Sequence, residues 1–218
     1  VNGDQDSVVN NPLDNCIDTI LYANQTPVFP NNLVVDYGSA NSSCNGGLNI
    51  TGKIKAKYSN KYGIKNGVVT VSFSEYYLDD LSVSGTMTIT NKGLNTNNKL
   101  VYSVIVSDGL ITGDTTNITW SCNRSFAWIS GDGTINTTDD KFEISGSSGG
   151  RTTKGNPFTV EITENLITEM GCKWLTSGKV EIDLGSSLSL RQVDYGTGSC
   201  ENTADVSYKS TSYQLEMR

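Results

Sequence analysis

The sequence predicts an all-β fold, a mostly antiparallel meander of about a dozen strands forming a sandwich or a strongly curved, folded-over sheet. Two observations carry this expectation. Apolar residues recur with period 2 from about residue 50 onward, and no stretch has helical period. Clusters rich in Gly, Asn, Asp and Ser separate these stretches at hairpin spacing.

The strands read in order as follows. In GKIKAKY, Ile54, Ala56 and Tyr58 face one side while Lys53, Lys55 and Lys57 face the other. The same alternation holds for Val69, Val71 and Phe73, for Val83, Met87 and Ile89, and for Leu100, Tyr102, Val104 and Val106. It continues through Ile118, Trp120 and Cys122, through Phe158, Val160 and Ile162, through Val180, Ile182 and Leu184, and through Tyr213, Leu215 and Met217. Turns are expected at 59–67, 79–80, 91–99, 108–109, 131–140 and 145–156. Gly52, Gly67, Gly85 and Gly178 each precede an alternating run, and a positive φ there would serve a turn or bulge at the strand entrance.

Residues 1–31 hold three of the four prolines and read as an N-terminal tether and irregular lead-in, with at most one helical turn or short strand around Cys16 to Tyr22. Residues 32–218 read as a single all-β domain. The most linker-like stretch, Ser145 to Pro157, fits a long hairpin loop. The opening VNGDQDSVVNNP has no apolar h-region, so a processed chain is expected.

Composition narrows the function classes. Sixteen basic residues against 23 acids give a net charge of −7, which opposes a sequence-independent grip on nucleic acid. The absence of histidine removes Ser-His-Asp and Cys-His nucleophile activation and imidazole switches. Neither a cofactor nor a metal is expected, and no catalytic residue is assigned.

Five cysteines stand far apart without a C-x-x-C pair, which fits an oxidising, extracytoplasmic compartment. Two places echo each other: VDYG ending at Gly38 before Ser43-Cys44, and VDYG ending at Gly196 before Ser199-Cys200. Each of these cysteines has another 28 positions upstream. This predicts bridges Cys16–Cys44 and Cys172–Cys200 with Cys122 inward and free, although spacing alone leaves other pairings open. In each VDYG the Asp should accept turn N–H bonds and the Gly should turn the chain.

These VDYG segments, with GKIKAKY, GTMTITNKG, Gly171-Cys172-Lys173-Trp174 followed by SGKVEI, and the closing VDYGTGSCENTADVSY, resemble a family of uncharacterised secreted surface lipoproteins of Bacteroidota bacteria. The resemblance runs from about Cys16 to the end. It implies a mature protein in the periplasm or at the outer-membrane surface, tethered by a lipidated cysteine just upstream of Val1. It carries no activity with it.

Several features offer chemistry. Tyr76 and Tyr77 are adjacent, so a regular pleat points them to opposite faces and exposes one as a glycan platform. Trp128 shares a face with Phe126 and is a second glycan candidate, although core packing is the commoner role. Lys53, Lys55 and Lys57, extended by Lys61 and Lys65, could meet an anionic glycan or lipid headgroup. The stronger reading of the stripe is protection of a sheet edge. Asp132, Asn136, Asp139 and Asp140 lie in an oxygen-rich loop without the order of a calcium hand, and read as a solvated turn.

The function expected is a non-catalytic module with a binding or structural role at the cell surface, its partner a glycan or another surface protein. Two alternatives stand beside it. One is a carboxylate-pair glycosidase drawing on Glu75, Asp79, Asp80, Asp139 and Asp140. The other is a carrier of a lipid or other hydrophobic ligand.

Overall fold

A computed structural model describes residues 16–24, 28–39, 42–43, 48–185 and 190–217. The strands are β1 (Thr19–Tyr22), β2 (Asn31–Asp36), β3 (Ser42–Ser43), β4 (Asn49–Tyr58), β5 (Val68–Leu78), β6 (Leu81–Leu94) and β7 (Leu100–Gly113). They continue as β8 (Thr116–Ser130), β9 (Lys141–Arg151), β10 (Pro157–Glu169), β11 (Leu175–Asp183), β12 (Arg191–Thr197), β13 (Thr203–Tyr208) and β14 (Thr211–Glu216). All fourteen belong to one antiparallel sheet that follows chain order, with β3 pairing beside the main path on β4. The sheet is open, and among the described residues its edges are β1 and β14.

The period-2 reading becomes two faces. Along one, lateral neighbours run Ala56, Val71, Met87, Val106, Cys122, Ser148, Val160 and Ile182. Along the other they run Lys57, Thr70, Thr88, Ile105, Asn123, Ser147, Glu161, Glu181, Gln192 and Ser207. Cys122 is free and half-buried within the apolar row.

The densest core gathers Ile144, Ile162, Leu166, Val180, Val193, Ala204 and Val206 from β9 to β13. A second cluster joins Cys16, Tyr37 and Ile50, with Val35, Ile54, Tyr76 and Leu78 against it. Ala204 is 3% and Val180 4% exposed. Larger neighbours cover these small side chains: Phe126, Val160, Leu175, Ile182, Tyr195 and Met217 pack against the cluster.

Bulges supply local bends. Between Lys53/Ser74 and Thr51/Tyr77, β5 carries an extra residue, and Glu75 takes φ 48° there. β7 carries one at Asp108, φ 54°, between Val106/Cys122 and Gly109/Trp120. β10 has two extra residues between Ile162 and Ile167, and β12 has one between Asp194 and Thr197. Each bulge raises local twist and bends its strand. Gly178, φ 103°, faces the β10 bulge, where an added Cβ would lie 2.4 Å from the Asn165 carbonyl oxygen and 2.7 Å from Leu166 Cα. Gly85 faces the β7 bulge in the same way, 2.9 Å from Gly109 Cα.

Three sequence expectations are corrected here. Gly52, Gly85 and Gly178 do not stand at strand entrances; they lie inside β4, β6 and β11, opposite bulges. Asp108-Gly109 is a bulge within β7 rather than a turn, because the same positive φ serves both. Ser145 to Gly150, read as loop, is the middle of β9: there Gly150 packs so close to β8 that a Cβ would meet the Thr119 carbonyl oxygen. The single sheet settles the choice between two sheets and one.

Cys172–Cys200 forms as expected and ties the β10–β11 hairpin to the β12–β13 turn. Cys16 is buried and disulfide-bonded; the pairing Cys16–Cys44 involves Cys44, outside the described residues. The two VDYG segments also behave as expected. Asp36 accepts from Gly38 N and Asp194 from Gly196 N, each at 2.9 Å, and both glycines have positive φ.

Gly178→Ala should lower the free energy of unfolding in urea by about 2 kcal/mol or more through backbone strain and collision. Gly155→Ala, at φ 78° with open space around it, should cost only about 1 kcal/mol. Equal losses would show that the bulge tolerates a side chain. Replacing Cys172 and Cys200 together by Ser should cost about 3–4 kcal/mol on the loop-entropy estimate, read in the same titration.

Candidate functional site

The meander sends alternate hairpins to opposite ends of the sheet, and the two ends differ in chemistry. One carries the connections 59–67, 95–99, 131–140 and 170–174, together with the polar connection 198–202 that Cys200 ties to Cys172. Here large apolar side chains stand in solvent: Tyr62 (50% exposed), Ile64, Leu94, Ile135 (96%) and Met170. Each of the first four connections presents at least one at or beside its tip, and connections recur about 10 Å apart because two strands separate them. Lys61, Lys65, Lys92 and Lys173 are exposed among them. At the other end four hairpin connections are polar, Asp79-Asp80, Asp114-Thr115, residues 152–156 and Lys209-Ser210, and among the described residues the exposed apolar side chains in the connections there are Leu48, before β4, and Leu190, before β12.

Local packing fixes the apolar tips in place. Tyr62 stacks on Tyr102, ring centroids 4.8 Å apart, and Asn91 Nδ2 donates to the Tyr62 carbonyl at 3.1 Å. Asn91 is 2% exposed and its side-chain oxygen also holds Gly93 N, so this one buried amide positions both the 59–67 loop and the end of β6. The crevice lined by Tyr62, Val69, Ile89 and Tyr102 is filled by those side chains. Burial pushes the Tyr102 phenol well above its ordinary range.

In the 131–140 loop, Trp128 Nε1 donates to Asp140 Oδ1 at 3.2 Å and the Trp128 ring lies 5.4 Å from Phe142. Asp140 is buried, and its carbonyl accepts from Met170 N at 2.9 Å, joining this loop to the next hairpin. Asn136 caps a 3₁₀ turn at Thr137–Asp139, and Asp139 accepts from the Thr134 hydroxyl. The acids of this loop thus organise its backbone. Among the described residues, no group of three or more Cys, Asp or Glu side chains is placed to hold a metal.

The other sequence candidates fall as follows. Tyr76 packs edge-on to Tyr37 at 5.9 Å, while Tyr77 is 43% exposed, as the pleat requires. Lys53, Lys55 and Lys57 line the solvent face of β4, and Lys53 is ion-paired with Asp36. That ion pair is the largest cause of an Asp36 carboxyl held below its ordinary range. The edge-protection reading of the stripe is overturned, since β4 lies between β2 and β5 in the sheet interior. Asp79-Asp80 and Asp139-Asp140 sit at opposite ends and are not brought together as a carboxylate pair.

A relation missed in the sequence joins the two VDYG strands to two Gly-Lys strands. Asp36 pairs with Lys53 after Gly52, and Asp194 lies 3.5 Å from Lys179 after Gly178. The repeated GK beside the repeated VDYG was the available signal. Both Asp residues are spent on their turns and these lysines, on strands near opposite edges of the sheet.

Burial pushes the Asp140 carboxyl up; the Trp128 N–H opposes this, and the charges of Asp139 and Asp132 add to it. The folded state therefore keeps this proton to higher pH than the unfolded chain does. The resulting stabilisation is complete below the unfolded value of about 3.9 and is lost as pH rises through the raised folded value. Asp140→Asn, whose amide oxygen can still accept from Trp128, should remove that loss. Its stability relative to the native chain should rise from pH ~3.5 to pH ~7, as followed by urea unfolding with tryptophan fluorescence.

No protein-family model, no curated protein and no solved structure matches the chain.

Proposed function

We propose that the protein is a non-catalytic module of an extracytoplasmic membrane surface, seated on the bilayer by the hairpin end that carries Tyr62, Ile64, Leu94, Ile135 and Met170. The observation that carries this reading is the asymmetry of the two ends: one presents Tyr62, Ile64, Leu94, Ile135 and Met170 among lysines, while at the other the described connections expose only Leu48 and Leu190 beside otherwise polar hairpins. Exposed apolar side chains insert at the headgroup boundary, each gaining up to about 1.5–3 kcal/mol on full burial, and neighbouring lysines attract anionic lipid. Of the acids at this end, Asp139, Asp140 and Glu169 are held by Thr134, Trp128 and Lys141, while Asp132 and Glu201 stand exposed against the four lysines. The Cys172–Cys200 bridge supports an oxidising compartment. A lipid anchor upstream of Val1, as the family resemblance implies, would supply a second membrane signal.

The polar face of the sheet favours an added role in glycan binding. Its lateral row of Thr70, Thr88, Asn123 and Ser147, with the exposed Ile105 between Thr88 and Asn123, offers hydroxyl and amide groups around an apolar contact, and among the described residues no ion pair engages Lys55 or Lys57 at its basic end.

Cosedimentation with vesicles tests the main reading. The chain should bind vesicles containing phosphatidylglycerol and release them in high salt. The double variant Leu94→Asp, Ile135→Asp should bind at least about tenfold more weakly, a loss of ~1.4 kcal/mol. Binding that is absent, or unchanged in the variant, would reject the seating. A glycan array read with Lys55→Glu, Lys57→Glu separately tests the polar face.

A further inference from the structure

The apolar row that runs through the core reaches the sheet edge without ending. From Ile162 it passes laterally to Val180, Val193, Val206 and then Tyr213, which is 50% exposed. One step along β14, Leu215 lies beside the buried Ala204 and is 47% exposed. Edge strands normally carry lysine, proline, a bulge or an inward charge to prevent pairing. β14, Thr-Ser-Tyr-Gln-Leu-Glu, has no Lys or Pro, and its register with β13 is unbroken over six pairs.

The hydrogen-bond parity of this edge is fixed. Met217 N donates to Asn202 O, so Met217, Leu215, Tyr213 and Thr211 turn their N–H and C=O groups toward β13. Ser212, Gln214 and Glu216 therefore turn theirs outward. These three positions are self-complementary under a two-fold axis through Gln214. Gln214 pairs with its own copy, Ser212 with the Glu216 of the second chain, and every outward backbone group is satisfied. No like charges face each other directly, and Tyr213 falls beside Leu215 of the second copy, continuing the apolar row into that copy's Ala204.

We propose that a second copy of this chain pairs antiparallel along β14, making one continuous sheet across a two-fold axis at Gln214. The interface is isologous and closes at the dimer. It goes beyond membrane seating and does not depend on it.

Sedimentation velocity across a concentration series provides the test. The native chain should pass from monomer to dimer. Gln214→Pro removes only an outward N–H, so it should keep the native urea midpoint while weakening the dimer at least about tenfold. Tyr213→Pro removes an inward N–H and should instead destabilise the monomer. In a Cys122→Ser background, Gln214→Cys should cross-link to its own copy on oxidation, since directly paired residues lie about 5.5 Å apart at Cα. Ser212→Cys should not. A native chain that stays monomeric, self-association unaffected by Gln214→Pro, cross-linking at 212 rather than 214, or species growing past the dimer through β1 would each overturn the proposal.

Discussion

A single antiparallel sheet of this length depends on keeping its ladder in phase across every strand. A slip of one residue would send each apolar side chain of a strand to the solvent face. The bulges are where this constraint is met. On β5, inward positions run Val69, Val71, Phe73 and then Tyr76, the odd step being absorbed at Glu75. The bulged strand gains a residue that its neighbours lack, and the neighbouring backbone must approach closely. Gly52, Gly85 and Gly178 permit that approach because they carry no Cβ. Local bending and phase are thus solved at the same positions, and the in-phase face that gathers Val180 and Ala204 with their neighbours follows from them.

This economy determines what polar groups remain for chemistry. Asp36 and Asp194 pin turns and hold lysines across the ladder, while Asn91 and Asp140 hold loops. Carboxylates used in this way are dispersed along the meander instead of converging on a cleft. Side chains that the fold leaves uncommitted lie at hairpin tips, on the polar face and along the edge. Those are surfaces suited to association, and the apolar tips and the edge each offer burial that the isolated sheet does not provide.

Strand alternation was legible because each strand has one wet face, and the VDYG turns were legible because Asx residues bond the N–H two positions on. The exposure of Tyr77 against Tyr76 followed from the pleat alone. The bulges were not legible. Asp108-Gly109 and Glu75 use the conformations of turns, so a local reading cannot distinguish a chain that reverses from one that continues. The Ser145–Gly150 stretch hid for a related reason. Its composition is that of a linker, and only the close approach of β8, with the Asn123 carbonyl against Gly146 and the Thr119 carbonyl against Gly150, makes small residues necessary there. The lysine stripe misled because edge and interior strands of a one-layer sheet share the same solvent face. The pairing of Trp128 with Asp140 needed the register of the β8–β9 hairpin, which no dipeptide announces.

The same long-range dependence explains where the cross-links are needed. In a meander almost every contact joins consecutive strands, so each hairpin is held mainly by its two neighbours and local opening costs little beyond them. Cys172–Cys200 skips this limit by tying the connection before β11 to the one before β13, across the strands that bury Val180, Val193 and Val206. Asp140 O to Met170 N does the same more weakly between the β8–β9 and β10–β11 connections. Both links lie at the end bearing Ile135 and Met170. Braced tips lose less conformational freedom on contact, so such links would strengthen whatever association a few exposed side chains at this end support.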